Sequence, residues 1–328
     1  MQYAIAWAVK GETSVVKWNG QVAIDLTVPA KKRKTIYDMI GAGDSVFCEM
    51  GSGAETLALI AQAKGAQVFR IPAYRLAKGM SRPERAHQML QLSTETPDFF
   101  YPLTEWDPVA LTLLVYSRMR KRVQRDRIAI ERRLKMSREE LELVGPFMVS
   151  PSRASVKDQL FELIRSDRMF EGVSEGEEDI ERVVASIVKK HPMYTPLSKV
   201  KGMGPMIAGH IIGEIGDIRR FRSFSGLKSY AAYDVVDGKA PRRARGKVFA
   251  KNTRFFQALW RWSTLTITWD SEWREMYERR KLYEHERNAE MSDGQAHARA
   301  CRYMVHKMLL RVVWNEWRRL YGLPTASR

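Results

Sequence analysis

One carboxylate, Glu49, interrupts the apolar stretch GDSVFCEMGSGAE at residues 43–55. The stretch predicts a buried strand that passes into a helix, so this carboxylate should lie at the strand-to-helix junction. Acids at the ends of central strands can hold the two Mg²⁺ ions of phosphodiester chemistry, but that chemistry needs several clustered carboxylate oxygens. A single acid there could equally stabilise the start of the helix through the helix dipole.

A rebuilt metal site would need further acids beside Glu49, and the sequence offers four candidates: Asp25, Asp44, Glu84 and Asp237. The two cysteines, Cys48 and Cys301, are too few for a zinc cluster. They are expected to be reduced and structural.

A second feature with chemical potential is the basic segment DGKAPRRARGKVFAKNTRFFQALWRW at residues 237–262. From Lys239 onward it carries eight Lys or Arg residues and no acid, in a loop whose Gly, Pro and Ala residues suit phosphate contact. The interleaved aromatic residues are expected to pack in the core beneath the loop. The alternative is that one of these rings stacks on a nucleic-acid base. The expected nucleic-acid contacts here are Arg242, Arg243, Arg245, Lys247, Lys251 and Arg254.

A glycine-containing motif, VKGMGPMIAGHIIGEIGDIRRF, precedes this segment at residues 200–221. Its pattern is that of a helix-hairpin-helix, in which glycines let the backbone approach a phosphate and helix amides face the anion. Lys201 therefore joins the expected contacts. The alternative is a plain turn between two core helices, and His210 is expected to be a packed helix residue.

The elements that position these residues fall into three regions. Residues 1–107 alternate strand patterns (AIAWAVK, SVVKW, QVAIDLTV, SVFCEM, AQVFRIP) with helix patterns (KKRKTIYDMIG, ETLALIAQAKG), and Asn19-Gly20 marks a hairpin turn. This order predicts an α/β domain with a mixed sheet and helices on its faces, and it resembles the RNase H or RuvC-like architecture.

Residues 108–193 are expected to form a coiled-coil arm and connector. Residues 110–143 lack Gly and Pro and would span about 50 Å as a helix. Ten Lys or Arg residues lie between Arg118 and Arg138, so the helix could be a solvated face, an antiparallel coiled coil, a dimer arm or a phosphate-tracking surface. The segment SEGEEDIE at 174–181 is predicted to be an acidic loop, and residues 194–328 are predicted to be helical.

The whole chain carries a net charge of +17, which favours a polyanionic partner such as nucleic acid. The sequence contains no run of about 18 apolar residues and no secretory signal pattern, so no membrane partner is expected. A cytoplasmic, nucleoid-associated location is predicted.

The order of these motifs resembles the DEDD transposases of the bridge-RNA-guided insertion sequences, relatives of the Piv DNA invertase. The best-matching pieces are FCEMGSGAETLALIAQAKGAQVFRIPAYRL, LSKVKGMGPMIAGHIIGEIGDIRRFRSFSGLKSYAAY and GKVFAKNTRFF. The resemblance implies a RuvC-like domain at 1–107, a coiled-coil arm at 108–193 and a transposase domain at 194–328.

The family's metal-binding acids map poorly onto this chain. Glu49 matches one of them, whereas Ala6, Arg82 and Arg85 stand at the positions of the other three. The family's serine nucleophile maps to about residues 235–251, but no serine occurs from Tyr230 to Trp262, and Asp237 and Gly238 fill the approximate position. The nearby serines Ser223, Ser225 and Ser229 lie on the wrong side of the YAAYD segment.

These losses favour a binding role. The leading hypothesis is a catalytically depleted relative that binds DNA and a structured guide-type RNA as a dimer or tetramer, with Arg82 and Arg85 forming a cationic groove. No cofactor is then expected. The first alternative is an active transposase or recombinase with relocated catalytic residues, which would need Mg²⁺. The second is an RNA- or junction-binding protein without a targeting role.

Overall fold

A six-stranded mixed sheet forms the N-terminal part of the protein. The computed structural model describes residues 1–8, 10–51, 53–144, 168–235, 240–241 and 251–325. The strands are β1 (Gln2–Ala6), β2 (Glu12–Trp18), β3 (Ala23–Pro29), β4 (Ser45–Glu49), β5 (Gln67–Ile71) and β6 (Tyr101–Pro102), in the order β3-β2-β1-β4-β5-β6. β1, β4 and β5 are parallel to one another, and the remaining pairs are antiparallel.

The predicted hairpin turn between β2 and β3 is present. Gly20 has a φ of +100°, a conformation that glycine adopts without a steric penalty. The side chain of Asn19 accepts hydrogen bonds from the backbone amides of Gln21 and Val22. Local turn chemistry therefore fixes the register of this hairpin.

Helices cover both faces of the sheet, because the side chains of β1 alternate between two apolar clusters. Tyr3 and Ile5 join the cluster that contains α2 (Glu55–Ala63), and α1 (Lys34–Met39) also contributes to it. Ala4 and Ala6 join the cluster that contains α3 (Arg82–Glu95). The predicted mixed sheet with helices is confirmed, while the RNase H or RuvC-like assignment stays a prediction.

A long helix, α4 (Asp107–Val144, 38 residues), follows the sheet and packs against α5 (Arg168–Val188) and α7 (Pro205–Ile215). α4 and α5 are antiparallel, since Arg120 pairs with Glu181 whereas Arg127 pairs with Glu177. The predicted acidic loop at 174–181 is wrong, because these residues lie within α5 and its carboxylates neutralise arginines of α4. The coiled-coil arm itself stays a prediction.

The C-terminal region is helical, as predicted. Its other described helices are α6 (Tyr194–Ser198), α8 (Phe224–Tyr230), α9 (Thr253–Thr266), α10 (Glu272–Arg287), α11 (Asp293–Met308) and α12 (Asn315–Leu320), with a π-helical turn at Leu309–Trp314. Their shared core includes the fully buried side chains of Phe255, Trp262 and Trp317. Within the described ranges, no helix is both long and apolar enough to cross a bilayer.

Candidate nucleic-acid interface and acidic site

Glu49 ends β4 at the carboxyl edge of the parallel strands, as the sequence predicts. Its side chain is only 6% exposed. Ile5 pairs with Cys48 in the parallel register, so the next residues along, Ala6 and Glu49, are neighbours at this edge. The position that would supply a second acid to the site supplies only a methyl group.

Arg85 pairs directly with Glu49. Its Nη1 lies 3.3 Å from Glu49 Oε1 and 3.2 Å from Oε2. The start of α3 sets this geometry, because Ser81 and Glu84 form a capping box that leaves Arg85 in the first turn facing the sheet. Arg82 is exposed at the first residue of the same helix.

The other candidate acids have structural partners of their own. Asp25 lies on the edge strand β3 and pairs with His87 at 2.8 Å, Asp44 accepts the amide of Gly41 at 2.8 Å, and Glu84 caps α3. Asp237 lies outside the described residues. Among the described residues, no cluster of three or more His, Cys, Asp or Glu side chains could hold a metal ion.

We call the ends of β1 and β4 around Glu49, together with Arg85, the acidic edge. Its residues therefore do not form a site suited to Mg²⁺. Mg²⁺ needs oxygen donors, and this site offers one carboxylate whose oxygens are both engaged by a guanidinium. The cysteines add no reactive group. Burial raises the pKa of Cys48 to about 12 and that of Cys301 to about 11, so both thiols stay protonated at neutral pH.

An arginine from the helical region covers the junction that follows Glu49. Gly51 has a φ of +83°, and Arg220 Nη2 lies 2.8 Å from the position that a Cβ at residue 51 would occupy. The guanidinium of Arg220 also lies over the ring of Tyr230, 4.9 Å from its centroid. Glycine at position 51 therefore permits close contact between the sheet and the helical region.

A cavity of about 250 Å³ lies next to this contact, and several charged residues of its lining form ion pairs with one another. Arg70 Nη1 and Nη2 lie 2.6 and 2.9 Å from the carboxylate of Asp107, and Nη2 lies 3.2 Å from Asp217. Arg118 pairs with Glu214 through two hydrogen bonds. Sequence reasoning missed these groups, because partners 37 to 147 residues apart leave no local pattern.

Glu214 is one of the buried acids of this lining. Burial acts to raise its pKa, but hydrogen bonds from Arg118 and Asn252 and the charge of Arg118 outweigh burial and lower it. Asn252 also caps α9 by accepting the amides of Arg254 and Phe255. The start of α9 is therefore tied to α4 and α7 through one carboxylate.

The residues predicted to contact nucleic acid differ in exposure and in ion pairing. Arg254 is exposed, and the exposed Lys201 lies over the ring of Trp269 at 5.0 Å. Lys251 is not a free surface cation, because its Nζ lies 2.6 Å from Asp234 Oδ2. Four predicted contacts lie outside the described residues: Arg242, Arg243, Arg245 and Lys247.

The glycine motif at 200–221 contains the turn that follows α6, then α7 and a 3₁₀ turn at Ile218–Arg220. Gly202 has a φ of +79°, and a Cβ there would meet Thr266 of α9 at 3.3 Å, so this glycine serves packing. Gly204 is the N-cap residue of α7, and no side chain caps this helix end. Among the described residues, no atom lies within 4 Å of the position that a Cβ at residue 204 would occupy. The helix-hairpin-helix assignment stays a prediction.

One serine does reach the lysine at the start of α9. Ser229 Oγ accepts a hydrogen bond from Lys251 Nζ at 2.6 Å and donates one to Asp234 Oδ2 at 3.1 Å. Ser229 precedes the YAAYD segment in sequence, yet its side chain contacts Lys251, which follows that segment. Asp234 Oδ1 is buried without a hydrogen-bond partner among the described residues.

A strained turn brings these three residues together. Ala232 has a φ of +59°, and the amide of Tyr233 returns to the carbonyl of Lys228 at the end of α8. Arg302 donates to the carbonyls of Ala232 and Asp234 at 3.0 Å each. The sequence carries no glycine to signal this left-handed position, which is why the chain reversal was missed.

Comparison with known proteins bears on the same part of the chain. Residues 194–278 match the model of the "Transposase IS116/IS110/IS902 family". A 134-residue alignment with the "Mini-circle putative transposase for IS117" of Streptomyces coelicolor is 28% identical and covers 40% of this chain. The chain spans 30% of the length of that relative. Both comparisons support a relationship between this chain and transposases of the IS116/IS110/IS902 family.

Proposed function

We propose that this protein is a DNA-binding relative of the bridge-RNA-guided transposases whose RuvC-type acidic site no longer cleaves DNA. The observation that carries this proposal is the ion pair between Arg85 and Glu49 at the position of a metal-binding cluster. The family match, the strand order of the sheet and the net charge of +17 support it.

The electrostatics of this edge favour phosphate over metal. Two unit charges 4 Å apart interact by about 4 kcal/mol at the intermediate dielectric of a protein surface, so a guanidinium at Glu49 opposes a divalent cation. The same guanidinium, together with the exposed Arg82, would attract a backbone phosphate. The edge thus supplies binding energy without hydrolytic chemistry.

The partners follow from the same reasoning. DNA is the principal ligand, and a structured guide-type RNA is the second. A dimer or tetramer would form through α4, and the complex would be associated with the nucleoid. The protein then acts as a targeting or regulatory factor.

The test is purification from cells without nuclease treatment, followed by sequencing of the copurifying nucleic acid and an assay for Mg²⁺-dependent strand cleavage. We expect a defined nucleic acid and no cleavage, both in the wild type and in Glu49→Gln. Cleavage by the wild type that Glu49→Gln abolishes would overturn the depleted site. A preparation with neither DNA nor RNA affinity would overturn the binding role.

A second candidate function is DNA strand transfer by a relocated serine, and the cluster of Ser229, Asp234 and Lys251 favours it. Ser229 Oγ would attack a backbone phosphorus and pass its proton to Asp234. The new bond is a phosphoserine ester, the broken bond is the P–O bond to the adjoining nucleotide, and Lys251 protonates the departing oxygen.

This candidate predicts a covalent protein–DNA adduct. Ser229→Ala should abolish the adduct, whereas the exposed Ser225→Ala, one turn away on α8, should leave it unchanged. Denaturing electrophoresis of labelled DNA followed by mass spectrometry of the linked peptide would detect it. Absence of an adduct at Ser229 in the wild type would reject strand transfer by this serine.

A further inference from the structure

A second cavity, of about 280 Å³, lies between α4, α7 and α9. We call it the arm cavity. The polar residues that line it are Ser117, Lys121, Gln124, His210, Gln257 and Arg261, together with Arg120. No Asp or Glu is among its lining residues in the described part of the chain, so the formal charges of the lining are all positive, and Met206, Ile207 and Ala258 supply its apolar part.

Two buried polar groups in the arm cavity have no hydrogen-bond partner in the part of the chain that the structure describes. The hydroxyl of Ser117 belongs to a residue that is only 1% exposed, and it makes no hydrogen bond. His210 Nε2 is also buried without a partner. Buried polar atoms nearly always have a hydrogen-bond partner, so two in one cavity point to a ligand that accepts hydrogen bonds.

The cationic residues around the cavity differ in whether a carboxylate neutralises them. Glu177 and Glu181 neutralise Arg120, whereas Lys121 donates a hydrogen bond to the neutral amide of Gln257 and has no ion-pair partner among the described residues. Burial, and then the charges of Arg254 and Arg125, lower the pKa of Lys121. An anion in the cavity would relieve this repulsion and would accept hydrogen bonds from the lining.

We propose that the arm cavity binds one backbone phosphate of the nucleic acid that the protein carries. The proposal rests on the nucleic-acid-binding function above and places a contact at the junction of α4 with the transposase-type region, away from the glycine turn. Lys121 and Arg261 supply charge, while Ser117, His210 and the two glutamine amides supply donors. The volume is several times the roughly 30 Å³ that one water occupies in the liquid, so a phosphate group fits.

The first experiment measures how the affinity for duplex DNA and for a structured RNA falls with salt. Lys121→Gln should reduce the slope of log K against log salt by about 0.9 for a duplex or about 0.7 for a single strand, the value for one lost phosphate contact. Arg122→Gln is the control, since it removes one charge from the adjacent exposed position of α4, outside the cavity lining. Equal slopes for the two variants with both polymers would overturn the proposal.

The second experiment uses Ser117→Ala, a substitution that does not change the charge of the cavity. Removing an unsatisfied buried hydroxyl should leave the melting temperature unchanged or raise it, whereas nucleic-acid affinity should fall roughly threefold. Unchanged affinity in this folded variant would show that the hydroxyl does not contact the ligand.

The third experiment measures the effect of inorganic phosphate on the melting temperature. If phosphate raises the melting temperature of the wild type but not of Lys121→Gln, while the salt slopes stay equal, the cavity binds a free phosphate and the backbone proposal is overturned. A wild type that binds neither polymer would overturn the proposed function as well. Retained polymer binding with unchanged slopes would overturn only the arm cavity's role.

Discussion

Glu49 and Arg85 depend on each other at the scale of single residues. A carboxylate that is 6% exposed is costly to keep charged without a partner, and the guanidinium of Arg85 is its only ion-pair partner in the described structure. The arginine is 32% exposed, which lets it face a ligand as well. The ion pair is therefore expected to contribute to the free energy of unfolding independently of any ligand.

Arg85→Gln should lower the free energy of unfolding by about 2 kcal/mol, because a hydrogen-bonded charge loses its partner while Glu49 stays buried. Glu49→Gln/Arg85→Gln should recover most of that loss, since two neutral amides replace two charges. Urea unfolding at pH 7 measures both. A double variant as unstable as the single one would show that Arg85 acts through packing and not through its charge.

Buried histidines should make stability depend on pH. Burial lowers the pKa of His191 to about 4, and its Nδ1 accepts the amide of Met193 at 3.2 Å. The unfolded chain takes up this proton near pH 6.5 and the folded chain only near pH 4, so stability should fall as the pH drops through that window.

His191→Gln should remove roughly 3 kcal/mol of this dependence between pH 6.5 and 4. His210, whose burial also lowers its pKa to about 4, would maintain the remainder. Unfolding free energies measured at several pH values would reveal the difference. A wild type and variant with parallel pH profiles would contradict a buried neutral His191.

The residues that could be predicted were those whose position along one element decided their role. Glu49 lies at the end of β4, where the strand pattern puts it. The contact between Ser229 and Lys251 was not foreseen, because a left-handed alanine, not a glycine, reverses the chain after α8. Lys251 was expected at the surface, since its partner Asp234 lies 17 residues away.

At the scale of elements, the strands and helices follow from periodicity and turn signals, but the packing between helices does not. The acidic segment at 174–181 has loop composition, yet it is helical because Arg120 and Arg127 of α4 neutralise its carboxylates. The close crossing of α4 and α7 was equally hidden. It depends on Gly209 and Gly213, which look in sequence like helix-weakening residues.

Gly213→Ala tests this crossing. A Cβ at residue 213 would lie 2.6 Å from the backbone nitrogen of Leu114, so α7 must move away from α4. We expect a loss of about 1–3 kcal/mol of unfolding free energy. Gly176→Ala in α5 is the matched control, since nothing lies within 4 Å of its Cβ and alanine should stabilise that helix. Equal effects of both substitutions on thermal unfolding would contradict the close crossing.

At the scale of the whole molecule, one buried arginine links the sheet to the helical region. Arg70 on β5 contacts Asp107 at the start of α4 and Asp217 after α7, and Asp217 also pairs with Arg219 at 2.7 Å. Arg219 in turn lies over the rings of Tyr101 and Tyr321. The acidic edge and the Ser229 cluster therefore belong to regions held together by one charge network.

Arg70→Gln should lower the free energy of unfolding by about 3 kcal/mol, because Asp107 and Asp217 stay buried with one cation fewer. The loss should be at the lower end for a buried pair, since Thr104 and Arg219 still donate to these carboxylates. Arg182→Gln is the control: it removes an ion pair whose arginine is 76% exposed, and such pairs contribute less than about 1 kcal/mol. Similar urea midpoints for the two variants would mean that apolar packing, and not this network, joins the sheet to the helices. A large loss confined to Arg70→Gln would instead mean that the sheet and the helical region are joined by a charge network that no local sequence pattern reveals.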